Sequence, residues 1–132
     1  MAGMTDLDEM LRTLTVSARP GRFTFVTVPG GEAPPIGDGV EAVLRESEGD
    51  TVVATVERAA AEGWSHDFEA AWLTLDVHSA LEAVGLTAAF SAALGAVEIP
   101  CNVLAAFHHD HLLVPADRVD EAVAALEALR DR

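Results

Sequence analysis

The sequence contains no lysine, one cysteine and few aromatic residues. Without lysine, only 8 arginines stand against 22 acidic residues, a formal net charge of −14. A surface this acidic repels phosphate backbones and anionic headgroups, which argues against nucleic acid or a membrane as partner. The plainest consequence of the charge is solubility. Cys101 has no second cysteine to meet, so no intramolecular disulfide forms and a reducing compartment is compatible. With 5% aromatics in a chain that is 50% apolar, the core must be filled by aliphatic side chains and alanine. No run approaches the ~18 apolar residues of a membrane helix. Asp6, Asp8 and Glu9 precede any apolar run, unlike a secretory leader. These absences predict a soluble, cytoplasmic protein. Absent too are a Gly-x-Ser-x-Gly elbow, a phosphate loop and a His-Glu-x-x-His pair, so no enzyme, catalytic set or cofactor is expected.

What is present is a succession of short segments. Thr5-Asp6 can cap a helix reaching Arg12, with Leu7, Met10, Leu11 and Leu14 along one side. Thr15–Ala18 and 22–28 read as strands about an Arg19-Pro20-Gly21 turn. Four glycines and three prolines make 29–39 a loop. Strands at 40–46 and 51–55 form a hairpin through Ser47-Glu48-Gly49-Asp50, and a helix over 56–62 stops at Gly63. A long strand over 68–77 sets Ala71, Leu73, Leu75 and Val77 against Trp72, Thr74, Asp76 and His78. A helix ending near Leu94-Gly95 follows. Next comes a strand over 98–107 with Ile99, Cys101, Val103, Ala105 and Phe107 on its apolar face. His108–His111 turns the chain into a strand at 112–114. After Pro115 the spacing of Val119, Val123, Leu126 and Leu129 predicts a final helix, with Asp117 suited to its cap.

Residues 40–62 and 99–130 each run strand, acidic turn, strand, helix. That echo predicts two copies of a split βαβ-type half-domain, 1–66 and 67–132, in an α+β fold with a mostly antiparallel sheet covered by helices.

Several residues invite a functional reading beside a structural one. Ser79-Ala-Leu-Glu82 is a capping box, so Ser79 serves either as helix cap or as ligand contact. Gly85 either admits a ligand to helix amides or permits close packing. His108-His109-Asp110-His111 has metal-ligand chemistry, yet adjacent strand residues point to opposite faces, so no metal site is expected; a polar hairpin tip is the plain alternative and a metal-binding protein using this turn a further one. His78 and Asn102 face the side of Trp72 if their strands pair. Cys101 reads as a buried, inert thiol. Glu46-Ser47-Glu48 reads as a solvated hairpin.

The stretches Leu75-Asp-Val-His-Ser-Ala-Leu-Glu-Ala-Val-Gly-Leu-Thr-Ala-Ala-Phe, Ile99-Pro-Cys-Asn-Val and His109-Asp-His-Leu-Leu-Val resemble the ACT-domain family. More narrowly they resemble small stand-alone bacterial members with tandem ACT-like halves, related to amino-acid sensors of animal growth signalling. The resemblance implies two ferredoxin-like βαββαβ halves binding an effector at the contact between halves or subunits. It implies that a small amino acid or similar zwitterion is the ligand and that the role is regulatory and non-enzymatic. Its carboxylate would meet the loop at Val84-Gly85-Leu86. Asp110, between His109 and His111, occupies the place of the acid that meets the ligand's amine in the related sensors; its flanking residues differ from theirs. His78, Ser79 and Asn102 complete the expected site. A homodimer or a regulatory protein partner is the alternative outlet, with no ligand.

Overall fold

The computed structural model describes residues 6–77 and 84–131. The chain forms two compact units. Pro20–Ala71 makes one, called inner here because in sequence it interrupts the other; Met1–Arg19 and Trp72–Arg132 together make the outer unit.

The outer unit opens with α1 (Asp6–Arg12) and β1 (Thr15–Ala18). Met10, Leu11 and Leu14 are buried, as the helical spacing requires. The Thr13 hydroxyl closes the helix by donating to the Met10 carbonyl at 2.8 Å.

The inner unit carries β2 (Phe23–Val28), β3 (Val40–Glu46), β4 (Gly49–Thr55) and α2 (Val56–Glu62). Strand order is β3-β4-β2, all antiparallel, with registers from Phe23↔Thr55 to Val28↔Asp50. Alternate β-branched residues Val26, Val28, Val40 and Val52 bury one face under α2, closed by Ala54 and Ala59. The Thr55 hydroxyl caps α2 by accepting from Arg58 N–H at 3.1 Å. Gly63, at φ 72°, ends it as expected. The β3–β4 turn is tighter than the sequence suggests: it is Ser47-Glu48 alone, and the strand resumes at Gly49. Gly49 sits at φ 149°, and a Cβ there would lie 2.7 Å from the Val28 carbonyl oxygen, so only glycine lets β4 start this close to β2.

The outer unit resumes along β5 (Ala70–Asp76), followed by α3 (Val84–Ala96), β6 (Asn102–Ala105), β7 (Asp110–Pro115) and α4 (Val119–Glu127). Within it the order is β1-β5-β7-β6, and β1 pairs antiparallel with β5 from Thr15↔Asp76 to Ala18↔Leu73. A 3-10 turn, Ala116–Arg118, holds Asp117, so Asp117 does not cap α4; Arg118 stands at the cap position without a side-chain cap bond. Phe90, Leu94, Leu112, Leu113 and Leu126 fill the core. The α+β class with antiparallel pairing under helices agrees with the sequence reading.

The predicted strand over 98–107 is corrected. It spans only Asn102–Ala105, and its supposed apolar face points outward: Val103 and Ala105 are exposed and Phe107 is 94% exposed. β6 is the last strand in the order, so alternation there does not select a buried side. Glu98, at φ 57°, redirects the chain as it leaves α3, and the buried Ile99 next to it donates its N–H to the Leu94 carbonyl at 3.0 Å. Asp110 and His111 belong to β7, so the hairpin tip is Ala106–His109.

The two hairpins share one register at a constant offset in chain number. Val43↔Val52, Leu44↔Thr51 and Arg45↔Asp50 in the inner unit match Val103↔Leu112, Leu104↔His111 and Ala105↔Asp110 in the outer. The same offset relates two more features. Asp38 and Glu98 are the two non-glycine residues at positive φ among those described. The backbone carbonyl of each accepts from an arginine, Arg58 Nη1 and Arg118 Nη1 respectively, both at 2.7 Å.

Candidate functional site

The candidate site lies in the outer unit, at the mouth of the β6–β7 hairpin. Alternation along β5 sends Leu75 to the side of α3, while Asp76 is exposed. Leu75, Val77 and Leu86 form an apolar floor. The turn residues Ala106, Phe107, His108 and His109 form the rim, and Asp110 reaches the same space from the first position of β7. The cavity measures about 110 Å³, several times the ~10–15 Å³ that one water needs and well below the ~300–1,000 Å³ of drug-sized sites. It suits a ligand of few heavy atoms.

Its polar side chains are one carboxylate, Asp110, and two imidazoles, His108 and His109. His109 Nδ1 is buried, 3.5 Å from Asp76 Oδ1, and makes no hydrogen bond among the described residues. An acid beside an apolar floor attracts a small cation carrying a short hydrocarbon. On the other face of β7, His111 Nδ1 accepts from Trp72 Nε1 at 3.2 Å and lies 3.0 Å from the Thr74 hydroxyl. The Arg19 guanidinium stacks 4.5 Å from the Trp72 ring. Burial lowers the His111 pKa, and the nearby His109 and Arg19 lower it further, against a smaller opposing effect of Asp110. Burial pushes the Cys101 thiol up, which keeps it protonated and a poor nucleophile. Among the described residues no three His, Cys, Asp or Glu side chains are grouped to hold a metal ion.

The residues expected from sequence are distributed unevenly. His109, Asp110 and Leu86 line the cavity. His111 is on the opposite face. Val84 and Gly85 open α3 as described, and a Cβ on Gly85 would meet Leu7 Cδ2 at 2.7 Å, so that glycine serves close packing against α1. Asn102 is corrected: it pairs with Leu113, and β7 separates it from Trp72 on β5. His78 and Ser79 lie outside the described residues. Sequence reasoning overlooked Phe107 and His108 as rim residues, because it carried the strand through 107. It also overlooked Asp50 of the inner unit, which the repeat offset from Asp110 would have singled out. An apolar groove of about 460 Å³ runs elsewhere along α3, lined by Leu7, Gly85, Ala88, Ala92 and Leu129 among others.

Two family models described as ACT domains match the chain, over residues 2–71 and 67–128. A crystal structure of a Vibrio cholerae protein of unknown function, described as a possible transport protein, is 35% identical with a TM-score of 0.86, over 94% of this chain and 95% of that one. An Agrobacterium tumefaciens protein is 19% identical, with a TM-score of 0.70 and 89% of each chain covered. A putative C-terminal regulatory domain of aspartate kinase from Porphyromonas gingivalis is 14% identical, with a TM-score of 0.60, over 90% of this chain and 98% of that one. At these last two identities the likeness is one of fold. A comparison with curated proteins finds no match. No described helix is long and apolar enough to cross a membrane.

Proposed function

The chain belongs to the ACT-domain family, whose domains regulate rather than catalyse, and on that premise we propose that it is a non-enzymatic module binding a small amino acid or similar zwitterion in the outer unit's cavity. The observation that carries this reading is the pairing of Asp110 with the Leu75, Val77 and Leu86 floor in a space of about 110 Å³. The ligand's ammonium meets Asp110, its short side chain rests on the floor, and its carboxylate approaches the backbone at Val84-Gly85-Leu86. Binding ties the β6–β7 hairpin to β5 and α3 and so changes how the module meets a regulatory partner.

A thermal-shift panel of the twenty amino acids tests it. A ligand at a hundred times its dissociation constant stabilises by ~2.7 kcal/mol, several degrees for a domain of this size. One clear shift is expected; a flat panel at millimolar ligand sinks the reading.

A second reading is favoured by one feature. β6 is an edge strand carrying exposed Val103, next to the 94% exposed Phe107, and such edges add strands from a second chain. The module would then act as a ligand-free dimer or partner-binding surface, and sedimentation showing a monomer at micromolar concentration would exclude the dimer.

A further inference from the structure

Asp50 stands at the inner-unit position that Asp110 holds in the outer unit. Each acid lies five residues before the end of its strand, opposite Arg45 and Ala105 in matching registers. Their surroundings differ. Asp110 borders an open cavity, whereas Asp50 is 2% exposed. What covers Asp50 includes the chain leaving β2, the strand beside it. Pro29-Gly30-Gly31-Glu32 forms a tight turn, Glu32 N–H to Pro29 carbonyl at 3.0 Å, with Gly31 at φ 85° as a type II turn requires. The Gly31 N–H donates to Asp50 Oδ2 at 3.1 Å. The other oxygen, Oδ1, is buried without a hydrogen bond among the described residues, and the largely exposed Arg45 stands 3.7 Å from it.

We infer that the inner unit is a self-occupied copy of the outer unit's site, in which the Gly31 amide takes the place of a ligand's ammonium at Asp50. A buried carboxylate needs a donor. The Gly-Gly turn supplies one from within the chain, and the positive φ at Gly31 is the backbone requirement that lets it do so. This deepens, and for its ligand arm rests on, the reading of Asp110 as the ammonium partner: the tandem protein binds one ligand per chain, and the inner unit serves as a fixed scaffold.

Two measurements on the full chain test it. In hydrogen exchange of the unmodified protein, the Gly31 amide is protected at least about tenfold over an unstructured glycine. Asp50→Ala abolishes that protection, while Asp50→Asn, which keeps an oxygen acceptor, retains most of it. A Gly31 amide exchanging at the free-chain rate in the unmodified protein overturns the inference, whether or not any ligand binds and whether or not Asp50→Ala folds. Nitrogen-15 shift mapping with L-alanine and L-leucine as probes gives the second arm. Shifts confined to the residues around Leu86 and Asp110, saturating at one equivalent, are expected. Shifts at Gly31 and Asp50, or a second equivalent bound there, refute self-occupation while leaving amino-acid binding intact. Absence of all shifts counts against the ligand reading alone, and the exchange result then decides this one.

Discussion

Trp72 Nε1 donates to His111 Nδ1 at 3.2 Å, joining β5 to β7 across the face that Arg19 covers. An imidazole nitrogen that accepts carries no proton, so this bond belongs to neutral His111, and the Thr74 hydroxyl lies 3.0 Å from the same nitrogen. The His111 pKa is lowered by burial and by the nearby His109 and Arg19. The unfolded chain therefore takes up the proton first as pH falls below the ordinary histidine value of ~6.5. His111 contributes stability that is complete above that value and is lost on acidification. Thermal midpoints measured from about pH 8 to about pH 5 should fall less steeply in His111→Gln than in the unmodified protein. Parallel curves would remove His111 from the account.

Asp110→Asn keeps the size of the side chain and removes its charge. With charge-assisted hydrogen bonds contributing ~1.5–3 kcal/mol, calorimetry should show the amino acid found in the panel binding about tenfold to a hundredfold more weakly. The thermal midpoint of the free protein should stay within about 2 °C, because Asp110 is only half-buried and borders the open cavity. Equal affinity would take the ammonium away from Asp110.

Phe107 separates ligand binding from self-association. An exposed side chain contributes little to stability, so Phe107→Ala should leave it within ~0.5 kcal/mol. Under the ligand reading, affinity drops modestly as the rim of the cavity is lost. Under the edge-strand reading, sedimentation shows fewer dimers and affinity is untouched.

Gly49→Ala tests why the inner hairpin starts early. The new Cβ would stand 2.7 Å from the Val28 carbonyl oxygen, a backbone atom that cannot swing aside. Strain and overpacking together should cost about 2 kcal/mol or more, read as a lower denaturant midpoint at unchanged slope. A midpoint equal to that of the unmodified protein would mean β4 shifts freely.

The sequence was most legible where local chemistry decides structure. Gly63 ending α2, the loop of prolines and glycines at 29–39 and the buried leucines of α1 all follow from residue type and spacing. Legibility failed where the outcome depends on neighbours far along the chain. Ile99, Cys101 and Val103 alternate like a buried strand, but among the described strands β6 pairs with β7 alone, and Val103 and Phe107 are exposed. Asn102 was expected beside Trp72 because nothing local reveals that β7 lies between them. Of the candidate site, the acid at 110 was readable from its turn and from family resemblance. The floor needed the fold, because Leu75 and Leu86 lie on different elements.

The insertion of Pro20–Ala71 within the outer unit sets an order of events during synthesis. The inner unit is complete once residue 71 has left the ribosome, and domains generally fold as units while the chain emerges. By then β1 is already made, yet its partner β5 is only beginning. Arg130, almost the last residue described, donates from Nε to the Leu14 carbonyl at 2.8 Å. The cavity-bearing unit therefore closes only after Arg130 has been made. A nascent chain held short of its final helix carries a complete inner unit and an incomplete cavity.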